Sequence, residues 1–463
     1  RTLAANNNTL FSGHYVSKNK KFEAFAHFLH QNINNEENGG IANEEQFLSD
    51  DNATSNRSNI TPNLTSSDSR FSYRRYYLSS QFTPFNSEKF PFRVRHTIFN
   101  QTNKYNYNQD SAESFYTGGN TSTLVDYPLS SGKYSQNLSN TVSLIFDNSK
   151  FKLDAGVRHQ IIKLGVSDPI IVDGTQIGNE RSENRIGAIG NLGISLFDKI
   201  DLKSNLEFSN GNEFGTFFKS SNVLKIEPIK DYFLTAKVNF QSAAPSFNYL
   251  VNTSVYNSFN YEITDFKNEN RTEIGGSLQL KWFKTELFAN YFMLDNFSYF
   301  DQLAQPKQSE APVNIMQLGG DATFSYKKFN LNTRLQFQNT LTNKALFPAP
   351  DLVARANLYY QTKAFKDVAE IQTGIKAYYF SKFDSREYFP VLNEFILPGS
   401  TPFAIGGQPI VDAYFNMKVK RFFVFVEGQH LNTLITKNTT YTVAFNPYSD
   451  FRLNIGIVWY LIN

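Results

Sequence analysis

RIGAIGNLGISLFDKIDLKSNLEF, Arg185–Phe208, holds two alternating runs joined by a turn that contains a lysine. Ile186, Ala188, Leu192, Ile194 and Leu196 share one face of the first run, against Arg185, Asn191 and Ser195. After Asp198-Lys199, Ile200, Leu202, Leu206 and Phe208 oppose Asp201, Lys203, Asn205 and Glu207. Successive side chains point to opposite sides of a strand, so each run builds one apolar and one polar wall. The segment predicts a β-hairpin.

The same turn recurs along the chain. It reads KNKKF at Lys18–Phe22, DNSKF at Asp147–Phe151, FKTEL at Phe283–Leu287 and YKKFN at Tyr326–Asn330. AFKDV at Ala364–Val368 and VKRFF at Val419–Phe423 complete the series. The other connections are long and polar, near residues 31–70, 109–133, 166–181, 301–312, 382–408 and 433–449. Short periplasmic turns on one rim and long extracellular loops on the other are the pattern of a transmembrane β-barrel. A soluble sandwich also alternates. Its strands usually run about 5 or 6 residues, however, whereas these run about 10 to 15.

Short turns near Asn19, Glu88, Asn148, Lys199, Lys230, Lys284, Lys327, Lys366 and Lys420 predict about 19 strands, within a range of about 18–20. Residues 1–463 are expected to form one antiparallel barrel domain. Single-chain bacterial barrels have even strand numbers. The first visible strand, Thr9–Val16, already descends to a short turn, so at least one strand is expected ahead of residue 1. Such a sheet closes at roughly 40 Å across, too wide for side chains to fill. Loops or another segment are expected to narrow it.

Composition agrees. Forty-five Phe and 25 Tyr against 2 Trp suit a protein with interfacial aromatic girdles. No apolar run approaches the roughly 18 residues of a spanning helix. With no Cys there is no disulfide or thiolate chemistry, and a formal net charge of +3 gives no reason to expect a nucleic-acid partner.

The last strand carries a second pattern. Asn454-x-Gly456-x-x-Trp459-x-Leu461 resembles the C-terminal signal read by the outer-membrane assembly machinery. It combines a polar start, a Gly for close approach and outward hydrophobes. Larger blocks resemble a family. EENGGI (Glu36–Ile41), YRRYYLSSQF (Tyr73–Phe82), IGGQPIVDAYFNMKVKRFFVFVEGQHLN (Ile405–Asn432) and RLNIGIVWYLIN (Arg452–Asn463) are similar to the putative porin family of Bacteroidetes outer membranes. The resemblance implies an outer-membrane barrel and further N-terminal sequence. Family members usually end on more aromatic residues than Leu461-Ile462-Asn463.

No HExxH, GxSxG or phosphate-binding fingerprint is present, so no enzyme and no cofactor or metal is expected. His27 and His30 fall on opposite faces of a strand. The acidic stretch with Glu36, Glu37, Glu44, Glu45, Asp50 and Asp51 lacks the spacing of a calcium loop and reads as a solvated segment. The candidate lumen-lining residues are Lys152, Asp154, Arg158, Asp201, Lys203, Glu207, Arg334, Glu370, Lys376, Asp412 and Lys418. They predict a channel for passive diffusion of small hydrophilic solutes in the bacterial outer membrane. A docking subunit of a larger envelope assembly and the barrel of an energised importer are the alternatives. Expected partners are membrane lipid and lipopolysaccharide, the assembly machinery, the solutes and other envelope proteins.

Overall fold

The fold is described from a computed structural model. It describes residues 4–49, 60–84, 91–111, 114–116, 129–166, 171–172, 175–176, 180–254, 256–399 and 401–460. One antiparallel sheet of 19 strands dominates, as the alternation predicts. Its strands are β1 (Ala4–Val16), β2 (Phe22–Glu37), β3 (Ser67–Phe82), β4 (Phe92–Gln109), β5 (Leu129–Asp147) and β6 (Phe151–Val166). β7 (Glu180–Leu196), β8 (Ile200–Asn210), β9 (Phe217–Ile229), β10 (Tyr232–Ala243), β11 (Glu269–Leu280) and β12 (Thr285–Asp295) follow. The last seven are β13 (Val313–Tyr326), β14 (Phe329–Thr340), β15 (Leu352–Ala364), β16 (Ala369–Phe380), β17 (Ile410–Val419), β18 (Phe422–Gln429) and β19 (Arg452–Trp459).

Each strand pairs with its neighbours in sequence, and connections of two to five residues at one rim, apart from 83–91, alternate with connections of six to 29 residues at the other. The expected short turns stand where the lysines placed them, except that the one near Glu88 lies outside the described residues. Tight hairpins need left-handed backbone to match the strand twist. Phe197 and Asp198 supply it at φ 55° each, and Lys20, Lys284, Lys327, Lys366 and Lys420 are also left-handed. The long connections number nine rather than the six expected. Those at 211–216, 244–268 and 341–351 were not anticipated, and β2 and β3 extend well into the predicted 31–70 loop. Among the described residues, no helix is long and apolar enough to cross a membrane.

The apolar rows do not meet in a core. Val157 is 63% exposed and Ile375 53%, and Leu206, Leu335 and Leu358 behave alike. A sheet that leaves such rows bare suits hydrocarbon on that side. The largest buried cluster lies instead among the long loops, where Leu64, Tyr105, Tyr116, Phe259, Phe300, Phe389 and Leu392 pack together.

Candidate functional site

Pairing register fixes which residues share a face. Asp154 stands opposite Asn191 and Ile145, and Ile145 opposite Arg93. Asp201 stands opposite Ser195 and Lys225, Lys376 opposite Asn357 and Asp412, and Glu370 opposite Lys418. Carried from strand to strand, the register puts all eleven candidate residues on one face, opposite the exposed hydrophobic rows.

Several of them meet partners there. Asp154 accepts from Arg95 and, at 3.4 Å, from Asn191. Arg158 bridges to Glu207 at 2.9 Å. Arg334 pairs with Asp321 at 3.4 Å and lies over the Phe288 ring. Lys376 pairs with Glu427 at 3.4 Å and lies over Tyr414. The Asp412 carboxylate accepts the His430 backbone N–H at 2.9 Å. Lys152 lies 3.5 Å from Asp147, which also holds Arg93 at 2.7 Å. Asp201 accepts from Ser195 at 2.6 Å. Lys203 has no such side-chain partner among the described residues; Glu370 and Lys418 are cross-strand neighbours. Arg93, Arg95, Lys237, Glu273, Asp321 and Glu427 belong to the same face and were missed. The alternating Arg93-x-Arg95 was the signal for the first two, obscured by the weak turn near Glu88.

At the long-loop rim the same face turns aromatic. Tyr105 and Tyr107 of β4 are buried by loops that fold over them. The connection between β16 and β17 reaches across to β4 and β5. Tyr105 donates its hydroxyl to the Pro390 carbonyl at 2.5 Å, and Lys133 donates to the Leu392 carbonyl at 2.7 Å. Within the layer Phe389 packs edge-on against Tyr116 and Phe259 at 5.3 and 5.0 Å. Phe300 pairs with Ile396 in a parallel bridge. Asn248 donates to Glu394 at 2.5 Å, and Arg386 donates to the Leu346 carbonyl at 2.5 Å. Burial pushes the Glu394 carboxyl up, against the opposing pull of Asn248, Lys133 and Arg386. Burial alone raises Glu387. Segments from six connections thus form one cross-braced layer, and its reach from β16 to β4 makes the charged face the concave one.

The sheet, its bare apolar exterior and its loop-covered polar interior fit one family, whose model, described as "Putative porin", matches residues 1–463. The chain belongs to that porin family. Among curated protein sequences none matches it. Three solved structures share this porin-family chain's fold at low identity. A mutant ferric enterobactin receptor (PfeA) from Pseudomonas aeruginosa is 13% identical at a TM-score of 0.68, over 99% of this chain and 70% of its own. The siderophore receptor PirA from Acinetobacter baumannii is 10% identical at 0.67, over 99% and 71%. The copper transporter OprC is 12% identical at 0.67, over 99% and 72%. The porin-family chain is therefore an outer-membrane β-barrel.

Of the expected assembly signal, Asn454 faces Glu427 across the pair with β18. Gly456 lies against Phe425, whose ring a Cβ there would strike. Trp459 stacks on Phe422 at 5.1 Å. Leu461 lies outside the described residues, as do Asp50 and Asp51 of the acidic stretch. In that stretch Glu44 and Glu45 open a short helix, Glu44–Ser49, that buries Phe47. His27 stacks on Tyr77 at 4.7 Å.

Proposed function

We propose that this chain is an outer-membrane channel through which small hydrophilic solutes diffuse passively, lined by the eleven charged residues and narrowed by the loop layer. The observation that carries the reading is the mixed charge of the concave face. Lys152, Arg158, Lys203, Arg334, Lys376 and Lys418 are cationic, and Asp154, Asp201, Glu207, Glu370 and Asp412 anionic. Charged rings keep a lumen wet and select ions by field rather than by fit. Six charges against five give little net field, so selectivity is weak. Planar-bilayer recording from the purified protein tests this. Discrete conductance steps with a reversal potential near zero in a salt gradient are expected, and a protein that inserts but never conducts contradicts it.

A second reading is favoured by the structural neighbours, which are a ferric enterobactin receptor, a siderophore receptor and a copper transporter. On that reading the barrel belongs to an energised importer and the loop layer is its ligand-binding roof. Uptake that stops when the proton gradient is collapsed separates it from passive diffusion.

A further inference from the structure

One row of the concave face is sorted by sign. Glu286 of β12 stands opposite Asp321 of β13, Asp321 opposite Arg334 of β14, and Arg334 opposite Arg355 of β15. Two carboxylates are thus followed by two guanidinium groups on four consecutive strands. Elsewhere on this face opposite signs meet. Asp201 faces Lys225, Glu207 faces Lys219, Glu370 lies between Lys363 and Lys418, and Lys376 faces Asp412. Among the described residues, Glu286–Asp321 and Arg334–Arg355 are the only like charges directly opposite one another on the concave face.

Like charges so placed destabilise a sheet. Exchanging Asp321 with Arg334 would give every neighbour in the row the opposite sign, so the fold gains nothing from the order it has. Asp321 and Arg334 offset one another at 3.4 Å. Glu286 and Arg355 remain at the ends, neither with a charged partner among the described residues. Glu286 accepts from the Gln279 amide at 3.4 Å, and Arg355 donates to Asn332 Oδ1 at 2.9 Å. The row is a dipole, negative at β12 and positive at β15.

Beside it the wall is hollowed. Glu286, Phe288, Asn290, Gln317, Asp321 and Arg334 line a recess of about 350 Å³, within the range of small-molecule pockets. Gly319 makes room for the Phe288 ring, which a Cβ there would strike. Gln317 and Gln336 both donate to the Gln338 amide oxygen, at 3.2 and 3.1 Å. The buried amide oxygen of Asn290 has no partner among the described residues. Side-chain amides of this kind suit the N–H and C=O groups of a peptide backbone.

We propose that this row is a binding site for short zwitterionic peptides, with the α-ammonium group at Glu286 and the α-carboxylate at Arg355. Three strand spacings separate those residues, about 14 Å. Two or three extended residues span about 7–10 Å, and a charge-assisted contact of about 3 Å at each end completes the distance. A free amino acid is too short to reach both ends. The proposal rests on the concave face being open to solutes, as in the channel reading, and gives one class of those solutes its chemistry: neutral overall, yet dipolar.

Isothermal titration calorimetry of the purified whole protein in detergent, with trialanine as the probe, tests the site without requiring conduction. Trialanine is expected to bind. Acetylating its N-terminus or amidating its C-terminus removes one charge-assisted contact and is expected to weaken it about tenfold. Alanine, which reaches one end at a time, is expected to be weaker by a similar factor. In Glu286→Gln the acetylated and free peptides are expected to bind alike, and in Arg355→Gln the amidated and free. The exchange Asp321→Arg/Arg334→Asp pairs both end charges within the row, and is expected to raise the unfolding midpoint in urea while losing trialanine. No binding to the folded wild-type protein, binding indifferent to blocked ends, or full affinity in the exchange variant overturns the proposal. Conductance recorded in parallel separates the two readings. A protein that conducts but ignores trialanine overturns this site alone, and one that binds it as expected but never conducts overturns the channel alone.

Discussion

Arg158 reaches Glu207 from β6 to β8 across the intervening β7. It does so over Gly187, which stands opposite Arg158 in the register. A Cβ at Gly187 would come within 2.7 Å of Ser209 and strike the Phe208 carbonyl, so the strands approach only because that side chain is missing. Both partners are partly exposed, and an ion pair in such a setting is worth about 0–1 kcal/mol. Its removal should change the field in the lumen more than the fold. Glu207→Gln leaves Arg158 unpaired, and the reversal potential in a salt gradient is expected to move toward anion preference. Arg158→Gln is expected to move it the opposite way, and the double variant to restore it. Gly187→Val is expected to disrupt the pair and lower the unfolding midpoint in urea.

Among the elements, the loop connecting β16 and β17 reaches far across the layer, to Tyr105 and Lys133. Tyr105→Phe removes the hydroxyl that meets Pro390, whose carbonyl keeps the Asn393 backbone N–H at 3.0 Å, a loss of about 1 kcal/mol. About 1.4 kcal/mol is tenfold in an equilibrium, so trypsin cleavage at Lys382 or Arg386 is expected to rise about fivefold while the barrel stays intact. Protonation adds to this. Glu387 and Glu394 are raised above the ordinary carboxylate value of 4.5, chiefly by burial. The docked layer therefore holds their protons more tightly than the undocked loop. Docking is strongest below the ordinary value and weakens as pH rises through the raised one. The loop is expected to resist a broad-specificity protease better at pH 5 than at pH 8, and the double variant Glu387→Gln/Glu394→Gln to lose most of that difference. An unchanged pH dependence in that variant contradicts the assignment.

The strands and short turns were legible because period-two alternation and the turn lysines are local signals. Arg158, Glu207, Arg334 and Lys376 could be placed on the concave face for the same reason. That loops would narrow the barrel was expected, but the contacts within the loop layer were not legible. Tyr105 and Lys133 find their partners at Pro390 and Leu392, more than 250 residues away, and nothing in their neighbourhoods marks them. The connections at 244–268 and 341–351 carry short helical or strand turns of their own, which blur the polar signature of a loop.

For the whole molecule, a wide sheet with oily rows on one face and charges on the other sets the membrane assignment. The absence of Cys makes that arrangement directly readable. Single cysteines placed in turn from Asp201 to Phe208 along β8, in the protein in liposomes, measure it. Positions 201, 203, 205 and 207 are expected to react with a membrane-impermeant maleimide. Positions 202, 204, 206 and 208 are expected to resist it and, once fluorescently labelled, to be quenched by a bromolipid. Equal reactivity at successive positions, or apolar positions shielded from both reagent and lipid, contradicts the account.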